Sequence, residues 1–403
     1  MVGNKNVITF VILETWKEIL MEIKILASTK PGYSMTADEA VDFSGKSAGI
    51  CYLPDTTETL FNEPAEKTLK RAKSNIALGH HSVFGHTHYN LLLEGIPKIL
   101  AMVLNNEKVY NTSEKSARYT HMVPSEREKE LYEKWIEIYK RLIIKEYPSI
   151  KEKYAEKLAL ENARYLISIF TPSTIMEYTV SFEQLNYIIS WARDYIQSDA
   201  NDEFSLKLKS VFKDFLECIE TYHIEVDGLN SRIKKRKFSL FSDRTMRYEE
   251  FGENYSTTYL ASFAELAQAQ RHRTLNYEMS FLRENEFYIP PIIKATEFEK
   301  EWLYDMYSIE DLFPQGMLVK VNERGTIENF VLKCTERLCG CAQLEIMEQT
   351  NKTLQKYLTA VEGKQELYSY LLPYSKGARC TFPDWKCASP CMFGGKNALN
   401  RII

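Results

Sequence analysis

Four short runs, 21–29 (MEIKILAST), 86–95 (HTHYNLLLEG), 174–182 (TIMEYTVSF) and 316–323 (GMLVKVNE), read as strands by their β-branched and aromatic content. Stretches of helical periodicity separate them, notably 126–142, 151–169, 182–197 and 327–362, the last long enough to be broken. Several helices per short strand is an α+β pattern, with small antiparallel or mixed sheets and long helices.

A chain of 403 residues has room for two domains. Around 227–243 the composition turns basic and polar, and the one strong basic block, Lys234-Lys235-Arg236-Lys237, reads as a solvated linker there. It would divide a first domain, 21–226, from a second, 244–362, with a Cys-rich tail at 363–403. Residues 1–20 read as an extension, since Met21 opens a strand-like run and could be the true start. The net charge of −4 and a pI near 6.1 argue against a general nucleic-acid or anionic-membrane surface. The apolar run 7–13 is too short to span a bilayer and is followed by Glu14 and Lys17, so a cytoplasmic protein without an export signal is expected.

Six of the eight cysteines lie in the last seventy residues. In GARCTFPDWKCASPC, Pro and Gly punctuate the thiols as in small metal knuckles, so Cys380, Cys387 and Cys391 are candidate zinc ligands. A tight C-x-x-C pair and a nearby His are both missing, which favours the competing reading, a flap in which thiols pack as small hydrophobes.

The densest anion-binding cluster is Arg271-His272-Arg273. The Ala-rich run 259–270 before it reads as a helix that would put Gln268 and Arg271 on one face. Two guanidiniums beside an imidazole are hard to bury without an anion, and bidentate pairing with phosphate is their strongest contact. Far upstream, 79–86 (GHHSVFGH) offers His80, His81 and His86, which suit hydrogen bonding to an organic ligand better than a metal, as no carboxylate or Cys sits beside them. Ser116, Arg118 and Tyr119 form an S-x-R-Y after a strand, a Glu-Gly and a helix.

This order of motifs resembles the flavin-dependent thymidylate synthases, but it is split between two halves. The first half keeps GHxS at Gly79, His80 and Ser82 and the S-x-R-Y, but has Gly85 for a Glu, Val103 for the Gln, and Asn106-Glu107-Lys108 for the R-H-R triplet. The second keeps Gln268 and Arg271 to Arg273, and places Arg337, Ala342, Gln343, Glu345 and Ile346 on the family's L-R-x4-A-Q-x-E-I helix. There Ser280 arrives one residue early, and Asn322 and Arg324 resemble the family's N-x-R. Complementary losses suggest two tandem synthase-like domains that have divided the labour.

The resemblance implies reductive methylation of deoxyuridine monophosphate (dUMP) with FAD, NADPH and methylenetetrahydrofolate. Arg337 would be catalytic; Gln268, Arg271, Ser116, Arg118, Arg164 and Ser280 would bind dUMP. FAD would be held by His80, Ser82, Arg271, His272, Arg273, Asn322 and Arg324, with His272 kept neutral by its flanking guanidiniums. Because the family's four subunits share active sites, a chain of two subunit-like halves would pair into a homodimer equivalent to the tetramer. A related flavoenzyme on another pyrimidine nucleotide and a catalytically inactive homologue are the alternatives. Three departures bear on them: the R-H-R-x6-S spacing, Gly85, and Cys341 where some members carry His.

Overall fold

The computed structural model describes residues 21–30, 35–50, 57–116, 122–229, 236–241, 248–383, 385–388 and 391–403. Its strands form two four-stranded antiparallel sheets. The first contains β1 (Glu22–Ser28), β2 (His88–Pro97), β3 (Tyr110–Glu114) and β4 (Pro172–Ser181), in the order β1-β2-β4-β3. The second contains β5 (Glu250–Phe251), β6 (Asn254–Ser262), β7 (Asn276–Ser280) and β8 (Leu318–Thr326), in the order β5-β6-β8-β7.

The two sheets therefore share one topology, and the helices repeat with them. β2 runs into the helix Lys98–Asn106 as β6 runs into Phe263–Ala269. β4 runs into Phe182–Gln197 as β8 runs into Ile327–Arg337, and the Ser181 and Thr326 hydroxyls cap these helices by accepting from Gln184 and Asn329 N–H. All four expected strands are present. The run 259–270 differs from expectation, because Tyr259 to Ser262 complete β6 and only Phe263–Ala269 is helical. Alternation decides it: Tyr255, Thr257, Tyr259 and Ala261 are buried, a period of two that the Ala-rich continuation hides. The stretch 327–362 is broken after Arg337 and resumes as Leu344–Ala360.

Reciprocal contacts join the halves. Ser168 and Pro314 form a β-bridge, flanked by Ile169 N–H donating to Phe313 O (3.0 Å) and Gln315 N–H to Ile167 O (2.8 Å). The helices Glu126–Glu146 and Glu297–Ser308 pack antiparallel, with Arg127 on Asp311 at 2.7 Å, Lys134 on Asp305 at 2.6 Å, and Trp135 edge-on to Trp302 at 4.8 Å. Contacts in which i meets j and j meets i are the signature of a two-fold pair, found here inside one chain. Trp135 and Trp302 are both fully buried. Burying about 200 Å² of ring at ~25 cal/mol per Å² contributes roughly 5 kcal/mol gross for each.

Candidate functional site

The local two-fold creates two equivalent inter-half interfaces, and one of them holds a cavity of about 230 Å³. The first half supplies Lys98, Glu114, Ser116 and Arg164 to its wall; the second supplies Gln268, Arg271, Gln315 and Arg337. Counting Lys115, five cationic side chains face one carboxylate, an excess of four positive charges around a small space. Such a concentration of field in a low-dielectric wall selects an anion.

Each charge is positioned from behind. Lys98, the first residue of its helix, donates to Glu114 at 2.5 Å, and Arg271 approaches the same carboxylate at 3.4 Å. The Glu114 side chain is only 1% exposed. Burial alone would raise its pKa, but Lys98 and Arg271 outweigh that and hold it below the usual carboxylate range. Arg337, at the end of its helix, donates through Nε to His272 Nε2 at 2.6 Å and through Nη2 to Gln268 O at 3.2 Å. The accepting Nε2 puts the imidazole proton on Nδ1. Burial, followed by Arg337 and Lys333, pushes His272 well below its ordinary pKa. The neutrality expected for it is therefore present, but its cause is burial and Arg337 rather than the flanking arginines.

The Arg-His-Arg triplet is divided among three tasks. Arg271 lines the cavity, His272 braces Arg337, and Arg273 donates to Tyr110 O at 2.7 Å and to Asn111, strapping β3 of the first half. Gln343, whose role spacing did not disclose, joins the halves: its Oε1 accepts from Arg164 Nη2 (2.7 Å) and from Gln268 Nε2. Glu345 accepts from Tyr165 OH (2.8 Å), Ser262 Oγ (2.6 Å) and Ser262 N–H (2.8 Å). Lys98 and Glu114 were also missed; both sit at element ends, where no periodicity marks them.

Ser116, Arg164, Gln268, Arg271 and Arg337 are thus brought together, whereas Arg118 lies outside the described residues. Ser280 does not reach the cavity: it is exposed at the end of β7, opposite Lys320. His80 and Ser82 are exposed on a three-ten turn at the His88 end of β2, while the cavity adjoins the Pro97 end; ten residues of strand span roughly 30 Å. His81, between them, is buried against Tyr187 OH (2.7 Å) and Ile76 O (3.1 Å). Asn322 donates to Ser256, Thr257 and Thr258 across β6, and Arg324 pairs with Glu278 on β7, so both serve the second sheet. Among the described residues, those expected for FAD accordingly fall in three places and form no single cradle within one chain.

The tail thiols do not assemble as expected either. Cys387 is exposed, Cys380 Sγ accepts from Gly395 N–H at 3.0 Å, and Cys391 lies beside Cys341. Burial, with Cys391 and Cys339 adjacent, pushes the Cys341 thiol up to about 11. Among the described residues, no cluster of three or more His, Cys, Asp or Glu has the arrangement to hold a metal ion. Nor is any described helix long and apolar enough to cross a membrane.

The second interface has the same backbone and other side chains. Ile99 N–H donates to Ile169 O (2.9 Å) as Ala264 N–H donates to Gln315 O (3.0 Å), so Phe263 occupies the place of Lys98. Strand register puts Met279 in the place of Glu114. The space is packed with rings: Phe204 meets Phe281 at 4.8 Å, Phe170 at 5.4 Å and Phe313 at 5.5 Å, and Phe263 meets Phe281 at 6.2 Å.

Two antiparallel sheets sharing a polar, cationic cavity define an α+β protein with a candidate anion site between its halves. Residues 34–195 match the model of the thymidylate synthase complementing protein family. No curated protein matches the chain. Among solved structures, Helicobacter pylori thymidylate synthase X with FAD and dUMP is 16% identical, over 52% of this chain and 99% of its own, with a TM-score of 0.32. A UMP/dUMP methylase, PolB, from Streptomyces cacaoi bound with 5-Br dUMP is 15% identical over 51% and 97%, with a TM-score of 0.33.

Proposed function

We propose that this chain is an FAD-dependent thymidylate synthase-like enzyme that methylates dUMP, using methylenetetrahydrofolate and NADPH, with one nucleotide site per chain. The observation that carries this reading is the cationic cavity built from both halves, which gathers five of the seven residues expected at the nucleotide and the reacting base. A phosphate dianion suits Arg271 and Arg164 with the Gln268 amide and Ser116 hydroxyl, several charge-assisted hydrogen bonds on one group. Gln343 steers Arg164 and Gln268 onto the wall from behind. Arg337, held by His272 and the Gln268 carbonyl, is a fixed positive charge for a uracil ring that loses its N3 proton.

The short R-H-R-x6-S spacing does not threaten this site. The serine at the cavity is Ser116 of the first half, and Ser280 lies exposed at the end of β7. Flavin chemistry would need a second copy of the chain, whose exposed His80 and Ser82 would complete what Arg271 offers. A pair of duplicated halves forming a homodimer is the assembly that supplies it.

The test is a titration of the purified protein with FAD and then dUMP, followed visibly and by calorimetry, then assay for thymidylate. The reading expects flavin uptake, one dUMP per chain, and product. A protein that takes up neither ligand overturns it; flavin uptake with turnover of a different pyrimidine nucleotide favours the related flavoenzyme.

A further inference from the structure

We propose that the C-terminal segment is a clamp on the loop that carries Arg337 and Gln343, with Arg401 as its positioning residue. Arg337 ends one helix and Gln343 caps the next, so the backbone of 338–343 sets where Arg337 enters the cavity and where Gln343 braces its wall from behind. Cys339 O accepts from Ala342 N–H and Gln343 O from Met347 N–H, but the carbonyls of Leu338, Gly340 and Ala342 take their donors from outside the loop and its helices. The tail provides them: Leu338 O accepts from Arg379 N–H at 2.6 Å, Gly340 O from Arg401 Nη1 at 2.7 Å, and Ala342 O from Arg401 Nη2.

A planar guanidinium bridging two carbonyls fixes the loop's path as a single flexible ammonium would not. Arg401 is itself 7% exposed, lies 5.3 Å from the Phe393 ring, and Phe393 packs edge-on to Tyr147 of the first half at 5.2 Å. Gly340 completes the fit, since a Cβ there would stand 2.4 Å from Phe393 O. The tail thus ties the loop to the first half, the side that brings Arg164 and Ser116. Displacing a reacting group by about 1 Å can cost 100-fold in rate, so the clamp has leverage on the site without touching it.

The functional part of this inference rests on the nucleotide reading above; the loop part does not. Arg401→Ala, Arg401→Lys and Gly340→Ala would be made in the full chain, followed by hydrogen exchange and by calorimetry with dUMP. Exchange in 338–343 is expected to quicken about tenfold in Arg401→Ala and Gly340→Ala and less in Arg401→Lys, with dUMP affinity falling by about tenfold in parallel. Exchange in the helices Glu126–Glu146 and Glu297–Ser308 should not change. Unchanged loop exchange in all three variants overturns the clamp. A loosened loop with dUMP affinity intact overturns the positioning role. A loosened loop in a protein whose parent binds no dUMP leaves the clamp standing and overturns the nucleotide reading.

Discussion

The two inter-half interfaces share a backbone and differ in side chains, and the difference shows how a symmetric frame can keep one site and close the other. Lys98 and Glu114 flank the open cavity where Phe263 and Met279 flank the closed one. Arg271 belongs to the open side; Phe204, Phe281 and Phe313 fill the other. A charged wall is stable only if its charges are paired or await an anion, whereas stacked rings contribute by burial alone. One interface therefore spends stability on an anion site and the other restores it.

The sharpest break of this comparison is Arg337→Ala, which should lower turnover by about 100- to 1,000-fold while leaving the fold intact, as judged by rate and circular dichroism. Next, Phe204→Ala should destabilise by about 3–5 kcal/mol in denaturant titrations yet leave dUMP affinity unchanged. Equal loss of affinity would mean that the closed interface also serves the nucleotide.

Glu265 offers a pH test of the same asymmetry. It is fully buried in the helix Phe263–Ala269, neither carboxyl oxygen has a hydrogen-bond partner, and Leu100 holds the equivalent place in the other half. Burial, against the pull of Lys333 and Arg337, pushes its pKa up to about 8. The folded chain therefore keeps a proton that the unfolded chain releases above about pH 4.3, and stability falls as pH rises from there towards the folded value. Glu265→Gln should gain on the order of a few kcal/mol over the parent near pH 9 and nothing near pH 4, by thermal unfolding. His272 acts with the opposite sign: its folded pKa is depressed, so the stability it contributes is lost as pH falls below about 6.5. The smallest effect is expected for Lys98→Met, a several-fold loss of dUMP affinity measured by calorimetry, because Arg271 still faces Glu114.

Much of the fold was legible where a strand has a buried face. β2, β4 and β8 alternate or run apolar, and their limits fall near the expected ones. Of the strands missed, β3 reads YNTSE and β7 reads NYEMS, and each pairs on one side only, so neither needs an apolar pattern, whereas β6 was hidden by its Ala-rich continuation and β5 is two residues long. Of the candidate site, Arg164, Gln268, Arg271 and Arg337 were legible because motif spacing survives at a distance in sequence. Lys98, Glu114 and Gln343 were not, because their roles arise only from the residues they meet across the halves.

The amino-acid order by itself determined the elements with a buried apolar face and the chemistry of the charged residues, since periodicity and residue type act locally. It also showed that Arg-His-Arg is a cluster seeking an anion. Tertiary structure decided that only Arg271 faces the cavity, that His272 is neutral through burial beside Arg337, and that Arg273 is a strap. It also decided that the C-terminal tail holds the loop behind the site. These are matters of which distant residues are brought within hydrogen-bond range and which are withdrawn from water, and neither is encoded in spacing along the chain.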